Sequence, residues 1–592
     1  MNYINDLSAS FREILMESLL AAAVDVKLFD LESIFVGLGL MQVKQSGTCR
    51  LSQLFPMSTF ALIELHFICM MTQQVNFEGL SGSTQEFLLS NVERHLAGMN
   101  IFCTYNVLWG LARMGVSVSH TGSPLSCSIL EKVVTVLHTF LPTQYGDVIW
   151  SLGSIGFKKT DLSPVMSDRL LAVLSRVYGK LHVRAAAYTL WGLSKMGFQW
   201  EEMKMRTRSL AGGREADPLS ESVIKYLRSR VASMKEHEYS VMLYSLGGLR
   251  AQLDVDAAHA LPSYVTDKIH HRATRVSSFL TSRSLASSLH GLGKCNVEWM
   301  KLPVETRDAW EEALLRPSAS APQVISVTEA ASSSRGTDSG ADRRGLAGMR
   351  TVEFCQTLYG LGLMRVSWQS LKQGTREAIV REVLQPGRID SMDLHGVSSG
   401  IWGLAAMQCP LHEIPAALLT SARTRLWATA VTSSASDTME GEGERVIAGR
   451  DGDNESETSL EEISEDLSIS DTASMESEPV ARMGNQWKQL TSVEGTSLSF
   501  AMSLEAMGRL GVVLSADELR EISLRLHSMA PHMSPDSIIS CTSGLSQLGA
   551  LWSDLTAQTR MTWVSALKVP PEEISATKRQ GLAESLAMMK AF

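Results

Sequence analysis

NVLWGLARMG (106–115), DVIWSLGSIG (147–156) and YTLWGLSKMG (188–197) stand 41 residues apart and share one pattern. The pattern returns as VMLYSLGGLR (241–250), SSLHGLGKCN (287–296), QTLYGLGLMR (356–365) and SGIWGLAAMQ (399–408). It continues as SFAMSLEAMG (499–508), SCTSGLSQLG (540–549) and GLAESLAMMK (581–590), and SIFVGLGLMQ (33–42) reads as an early copy. Counted at the central Leu of the motif, the same 41-residue step separates Leu504, Leu545 and Leu586. Such self-similarity is the mark of a repeat architecture. The longer steps hold extra sequence: a Ser/Ala/Gly-rich stretch at 316–350, an acidic tract at 433–485, and between Leu38 and Leu111 room for a degenerate copy around Phe60 to Met71.

The motif is a helix by its spacing. Apolar residues three before the central Leu (Leu108, Ile149, Leu190, Leu243) and three after it (Met114, Ile155, Met196, Leu249) share one face. The residue just before the Leu is Gly or Ser in every copy from Leu111 onward. Gly inside a helix costs roughly 1 kcal/mol against Ala, so these small residues imply close approach of a neighbouring backbone. An aromatic two before the Leu (Trp109, Trp150, Trp191, Tyr244, Tyr359, Trp402) is expected to fill the groove beside it. Gly115, Gly156, Gly197, Gly508 and Gly549 read as helix stops.

A second amphipathic pattern lies between the motifs, clearest in LEKVVTVLHTF (130–140), LSPVMSDRLLAVLSRV (162–177) and LSESVIKYLRSRV (219–231). Two helices and two ordinary loops fill each period. A pair so short cannot bury its apolar face alone, so neighbours must stack. The expected fold is all-α, a right-handed α-solenoid of about ten two-helix repeats of about 41 residues, with two disordered insertions. Its expected divisions are an N-terminal helical segment at 1–30 and repeats at 31–315, then a disordered linker at 316–350, repeats at 351–432, an acidic disordered insertion at 433–485 and repeats at 486–592. The two insertions are too poor in aromatics to offset their ordering entropy.

Composition agrees. Apolar residues make up 44% of the 592, ample for a core, and 29 Met make much of it adaptable. No apolar run is long enough to span a membrane. The eight Cys (Cys49, Cys69, Cys103, Cys127, Cys295, Cys355, Cys409, Cys541) lack the paired spacing of zinc or redox motifs and read as buried, reduced thiols. The net charge of −9 comes from the acidic tract, which carries −12 and leaves the rest at +3. A near-neutral, slightly basic folded part is compatible with nucleic acid. Early Asp6, Glu13 and Glu17 with a single Arg12 match neither a secretory signal nor an Arg-rich transit peptide, so an organelle address is expected to have been removed or never encoded here.

The segments built as [NY]-x-[LI]-W-[GS]-L-[AGS]-x-[MI]-G, each followed by a second helix, resemble the octotricopeptide repeat and the related heptatricopeptide and FAST-kinase-like helical repeats. The resemblance covers about 31–315, 351–430 and 487–592, and its best copies surround Trp109, Trp150, Trp191 and Trp402. It implies an organellar RNA-binding protein, mitochondrial or chloroplast, acting in processing, stability or translation of transcripts or rRNA. The chain lacks the Pro-Pro-Pro-Glu-Trp signature of many octotricopeptide repeats and shows no C-terminal RAP-type domain.

Positions five before and two after the central Leu are the candidate RNA contacts: Asn106, Asp147, Tyr188 and Gln356, then Arg113, Lys195 and Lys294. Such side chains can bond base edges or phosphate, repeat by repeat; the competing account is the solvated side of an amphipathic helix. The aromatic series could stack bases, but its place beside small residues and Leu favours core packing. Trp109, Leu111, Trp150, Leu152, Trp191, Leu193, Trp402 and Leu404 are therefore assigned to the repeat core. KMRTR (204–208) and HHRATR (270–275) read as solvated basic clusters that could touch phosphate. No H-E-x-x-H, C-x-x-C or Walker-type loop occurs; HGLGKCN (290–296) is a repeat copy, and His270–His271 lacks a third ligand. The expectation is a non-enzymatic binder of single-stranded RNA, without cofactor, metal, membrane or small-molecule substrate. The alternative is a HEAT- or armadillo-like protein scaffold with the acidic tract as a docking tail.

Overall fold

The computed structural model describes residues 77–205, 217–253, 261–317, 344–428, 493–566 and 576–590. The early copies at 33–42 and Phe60 to Met71, most of the linker and the acidic tract lie outside them. The described residues are helical, with no β-strand among them. They divide into two compact units, one of Met1–Leu280 with Ser287–Trp310, the other of Thr281–Ala286 with Glu311–Phe592.

Each motif forms the first helix of a pair. In the first unit these are α2 (Ile101–Met114), followed by α3 (Val118–Val136), then α4 (Pro142–Ile155) with α5 (Pro164–Val177) and α6 (Val183–Lys195) with α7 (Leu219–Arg230). Next come α8 (Glu236–Gly248) with α9 (Ser263–Val276), and then α10 (Ser282–Lys294) with α11 (Val304–Leu315), of which Ser287–Lys294 and Val304–Trp310 belong to this unit; α1 (Gly82–His95) precedes them all. The second unit holds α12 (Thr351–Leu363) with α13 (Gln373–Val383), α14 (Leu394–Ala406) with α15 (Ala416–Ala428) and α16 (Val493–Arg509) with α17 (Ala516–Met529). It continues with α18 (Pro535–Gln547), α19 (Ala557–Ala566) and α20 (Ala576–Met588).

Within the first unit α2, α4, α6 and α8 pack in succession, and within the second α12, α14, α16, α18 and α20 do so. The small residues explain how. A Cβ on Gly192 would lie 2.1 Å from the carbonyl oxygen of Ile149, and one on Gly403 would lie 2.3 Å from that of Leu358. Gly291 and Gly544 meet Leu243 and Leu504 in the same way, at 2.5 Å from the carbonyl carbon. On the opposing helix the residue after the central Leu is also Gly, and Gly153, Gly247 and Gly362 sit against Gly192, Gly291 and Gly403. Backbone packs on backbone, as the sequence pattern required. The central leucines Leu111, Leu152, Leu193, Leu246 and Leu361 are sealed beneath this contact with no exposed surface.

One copy is corrected. Gly544 abuts Leu504, which therefore takes the place three before the centre of the motif, and Met507 is the central residue of α16. The hydrogen bond that closes each first helix confirms the shift, running from Val512 N to Met507 O at 3.0 Å as it runs from Val116 N to Leu111 O. Gly508 is accordingly an interior contact glycine, and Gly511 is the stop at φ 67°. The sequence pattern misled because Leu504 and Met507 are both apolar and three apart.

The closing turn is a Schellman motif throughout. The residue four after the central one is left-handed at Gly115, Gly156, Gly197, Gly511 and Gly549, but equally at Arg250, Asn296, Arg365, Gln408 and Lys590. The geometry thus holds even where a Cβ makes it costly, by roughly 1–2 kcal/mol. The residue after it (Val116, Phe157, Phe198, Val366, Cys409) is buried against the pair. Two residues further on, a backbone N–H reaches the next first helix: Lys159 to Met196 O, Trp200 to Leu249 O, Trp368 to Met407 O and Trp552 to Met589 O, each 2.7 Å, and Leu253 to Cys295 O at 3.0 Å. A carbonyl left open at the helix end is satisfied by the preceding pair. Trp200, Trp299 and Trp368 at this position are fully buried.

Further differences from the sequence reading are local. Residues 344–350, placed in the linker by composition, contain a short 3-10 turn with Leu346 and Met349 buried. Cys103, Cys295, Cys355, Cys409 and Cys541 are buried as expected, whereas Cys127 is exposed. Burial pushes the Cys355 and Cys409 thiols up to about 12, which leaves them protonated and inert at neutral pH.

Replacing Gly192 by Ala would ordinarily strengthen a helix by roughly 0.5–1 kcal/mol. Here the new methyl strikes the Ile149 carbonyl, and we expect G192A to destabilise α4 and α6 by about 2 kcal/mol in amide hydrogen exchange. G581A in α20, whose Cβ would meet nothing within 4 Å, should show the ordinary gain.

Candidate nucleic-acid interface

Residues nine and five before the central position, two before it and two after it are spaced to share one stripe of each first helix. In the first unit the stripe reads Phe102, Asn106, Trp109, Arg113 on α2; Thr143, Asp147, Trp150, Ser154 on α4; and Arg184, Tyr188, Trp191, Lys195 on α6. On α8 it reads His237, Val241, Tyr244, Gly248, and on α10 it ends Ser287, His290, Lys294.

The aromatic row is not the sealed core expected of it. Trp191 is buried, but Trp109, Trp150, Tyr244, Tyr359 and Trp402 all remain partly exposed, while their neighbours Leu111, Leu152, Leu193 and Leu404 are buried. Because the glycine contact draws consecutive backbones together, rings on adjacent helices touch. Trp150 stacks on Trp191 with centroids 6.1 Å apart and planes 28° apart. Tyr244 meets His290 at 5.6 Å, and Tyr359 meets Trp402 at 4.9 Å. The rings thus pair across neighbouring first helices, at two places in the first unit and one in the second.

Cations lie over aromatic rings of the first unit's stripe. The Arg113 guanidinium sits 5.6 Å from the Trp109 centroid, Arg184 5.4 Å from Tyr188, and the Lys195 ammonium 5.3 Å from Trp191. Such a contact contributes about 0.5–1 kcal/mol at an exposed site and about 2 kcal/mol when desolvated. Desolvation holds the Lys195 pKa below its usual value, which marks an ammonium kept from full hydration.

Asp147 is the single carboxylate on the first unit's stripe among the described residues. Its Oδ2 accepts a hydrogen bond from the Tyr105 hydroxyl at 3.1 Å. Burial raises its pKa, opposed by that hydrogen bond and by the nearby Arg184 and His182. Arg184, Asp147 and Arg113 all act electrostatically on Tyr188, whose hydroxyl lies 3.4 Å from His237 Nε2. The structure therefore gathers Arg113, Asp147 and Tyr188 of the sequence candidates into one patch and adds Tyr105 and Arg184. Lys195 closes the same helix as Tyr188, and Lys294 stands exposed on α10. Asn106, Tyr188 and Gln356 are largely buried, and Gln356 belongs to the second unit.

The stripe of the second unit differs. There Trp402 Nε1 donates to Glu505 at 3.3 Å, and Arg509 covers its ring at 5.7 Å while pairing with Glu505 at 2.5 Å. Asp536 and Glu584 add further carboxylates.

The basic clusters read from sequence sit elsewhere. Lys204 pairs with Glu201 at 3.0 Å, and residues 206–208 lie outside the described residues. In 270–275 the Arg272 guanidinium donates to the Met234 carbonyl, and burial lowers the His270 pKa to about 4, so its imidazole is neutral. Among the described residues no group of three or more His, Cys, Asp or Glu is placed to hold a metal, and no helix is long and apolar enough to cross a membrane. Compared with known families and curated proteins, the chain matches no family model and no curated sequence.

The raised pKa of Asp147 carries a stability consequence. The folded chain keeps this proton to higher pH than the unfolded chain, so the group's contribution is most favourable below the unfolded carboxylate range. That contribution is lost as pH rises through the raised folded value. D147N keeps the shape without the buried charge. We expect it to raise the melting temperature at neutral pH, with the gain vanishing below about pH 4; an equal gain at both pH values would show that charge is not the cause.

Proposed function

We propose that the stripe on the first unit binds single-stranded RNA, with the helix pairs stacked as a right-handed solenoid that presents successive contacts along a strand. The observation that carries this reading is the combined row of rings and cations, Trp109 with Arg113, Tyr188 with Arg184, and Trp191 with Lys195. Unpaired bases stack on aromatic faces in a sequence-tolerant way, here on the partly exposed Trp109, Trp150 and Tyr244, and flanking cations neutralise phosphate. Among the described residues the first unit's stripe carries four cations (Arg113, Arg184, Lys195, Lys294) against one carboxylate. The resemblance of the motifs to organellar helical repeats carries the further proposal that the RNA is a mitochondrial or chloroplast transcript or rRNA, bound for processing, stability or translation. On this reading the chain is a binder rather than an enzyme.

The second unit supports a second reading. Its stripe pairs Glu505, Asp536 and Glu584 with exposed apolar residues, Val352, Leu498 and Met588. Carboxylates beside apolar surface suit a protein partner better than phosphate, as a HEAT- or armadillo-like scaffold would provide. A partner recovered stoichiometrically after nuclease treatment would bear this out.

The RNA reading is tested by filter binding of organelle RNA at roughly 50 and 200 mM salt. Retention should fall steeply between the two. R113A/R184A/K195A should reduce the slope of log affinity against log salt by about 2, at ~0.7 for each phosphate no longer neutralised. Negligible, salt-insensitive retention by the unaltered chain would overturn the reading.

A further inference from the structure

Among the cations and rings of the first unit's stripe, Asp147 is out of place. A carboxylate beside a phosphate path repels the backbone, and burial makes its charged form more costly still. Its partner leaves it incomplete. Tyr105 donates to Oδ2 alone, at 3.1 Å, and a carboxylate offers about four acceptor sites. Arg184, which lowers its pKa electrostatically, lies over the Tyr188 ring. Of Asn106, Asp147, Tyr188 and Gln356, which share this register position, the other three are at most 9% exposed, and only Asp147 keeps a partly exposed side chain.

Its neighbour on the same face is Trp150, three residues and about 4.5 Å further along the helix axis. Trp150 is partly exposed and stacked at 6.1 Å on Trp191. A base stacked on the outer part of Trp150 would present its edge to Asp147. A carboxylate only accepts hydrogen bonds, so it favours the base whose pairing edge carries two adjacent donors. Guanine does, through N1–H and the N2 amino group. Adenine and cytosine set a ring-nitrogen acceptor beside their single amino group, and uracil flanks its one N–H with carbonyls.

We propose that Asp147 is a base-reading residue that selects guanine at the position held by α4, with Tyr105 fixing the rotation of the carboxylate. The proposal rests on the RNA reading above and names the nucleobase within it.

The test is selection from a randomised single-stranded RNA pool by the full chain, by D147N and by R113A/R184A/K195A, with far-UV circular dichroism to confirm folding. The unaltered chain should enrich one guanine position roughly tenfold over the other bases, and D147N should lose that preference while retaining the rest of the selected motif. The triple variant should bind more weakly overall but keep the guanine. Replacing that guanine by inosine, which lacks the N2 amino group, should weaken binding to the unaltered chain and leave D147N unaffected; this readout does not depend on the variant's stability alone. If RNA is retained with no guanine preference, or with one that D147N and inosine leave unchanged, the assignment of Asp147 is overturned while the RNA reading stands. If no RNA is retained, both fall.

Discussion

The contact on which the structure depends is backbone against backbone. Gly192 over Ile149, Gly291 over Leu243, Gly403 over Leu358 and Gly544 over Leu504 leave no space for even a methyl group. Helices meeting through such residues lie at the short end of the usual 8–10 Å separation. That proximity buries the central leucines completely and brings every other residue of the motif into register with its counterpart on the next helix. It offsets the loss of helix propensity that these glycines impose.

Two properties follow from the same approach. One concerns the ends of the helices, where open carbonyls such as those of Met196 and Met407 are met by an N–H from the pair before, so the polar ends can be buried. The other concerns the outer stripe. Rings such as Trp150 and Trp191 can stack across helices only because their backbones are so close. This surface presents the partly exposed rings of Trp109, Trp150 and Tyr244 in the first unit, with Arg113 over Trp109, and Arg184 and Lys195 over the buried Tyr188 and Trp191. The packing that stabilises the pairs and the surface proposed to read a strand are two sides of one geometry.

Much of this was legible in sequence because small residue, Leu and aromatic recur at fixed spacing. The helical pairs, the close approach and the burial of Leu111, Leu152, Leu193 and Leu404 follow from that spacing. The frame of α16 did not, since two apolar residues three apart satisfy the same periodicity and only the Gly544 contact separates them. The left-handed turns at Arg250 and Arg365 were invisible because glycine is the usual signal of such a turn, whereas here the surrounding packing imposes the geometry. Trp200 and Trp368 carry no such signal either, because they lie past the helix, in a loop whose role is set by a bond to another pair. The partial exposure of Trp109, Trp150 and Trp402, against the burial of Trp191, has a simpler reason. A position two before a buried Leu turns about 200° away around the helix, so the helix's own neighbours decide how far its ring is covered. In sequence Asp147 is one of a register set, and its distinction from Asn106 and Gln356 is one of burial, which spacing does not encode.

The bond from loop to following helix also divides the chain into lengths that can vary and lengths that cannot. From the start of a first helix to the N–H that reaches its successor, every residue is counted, because an insertion there would rotate the stripe or break the capping turn. The added sequence at 206–216, 254–260, 318–343 and 429–492 falls in each case after that point of its pair and before the next first helix. Growth of the chain is thus confined to junctions, and new segments can be acquired without altering the pitch at which the stripe repeats.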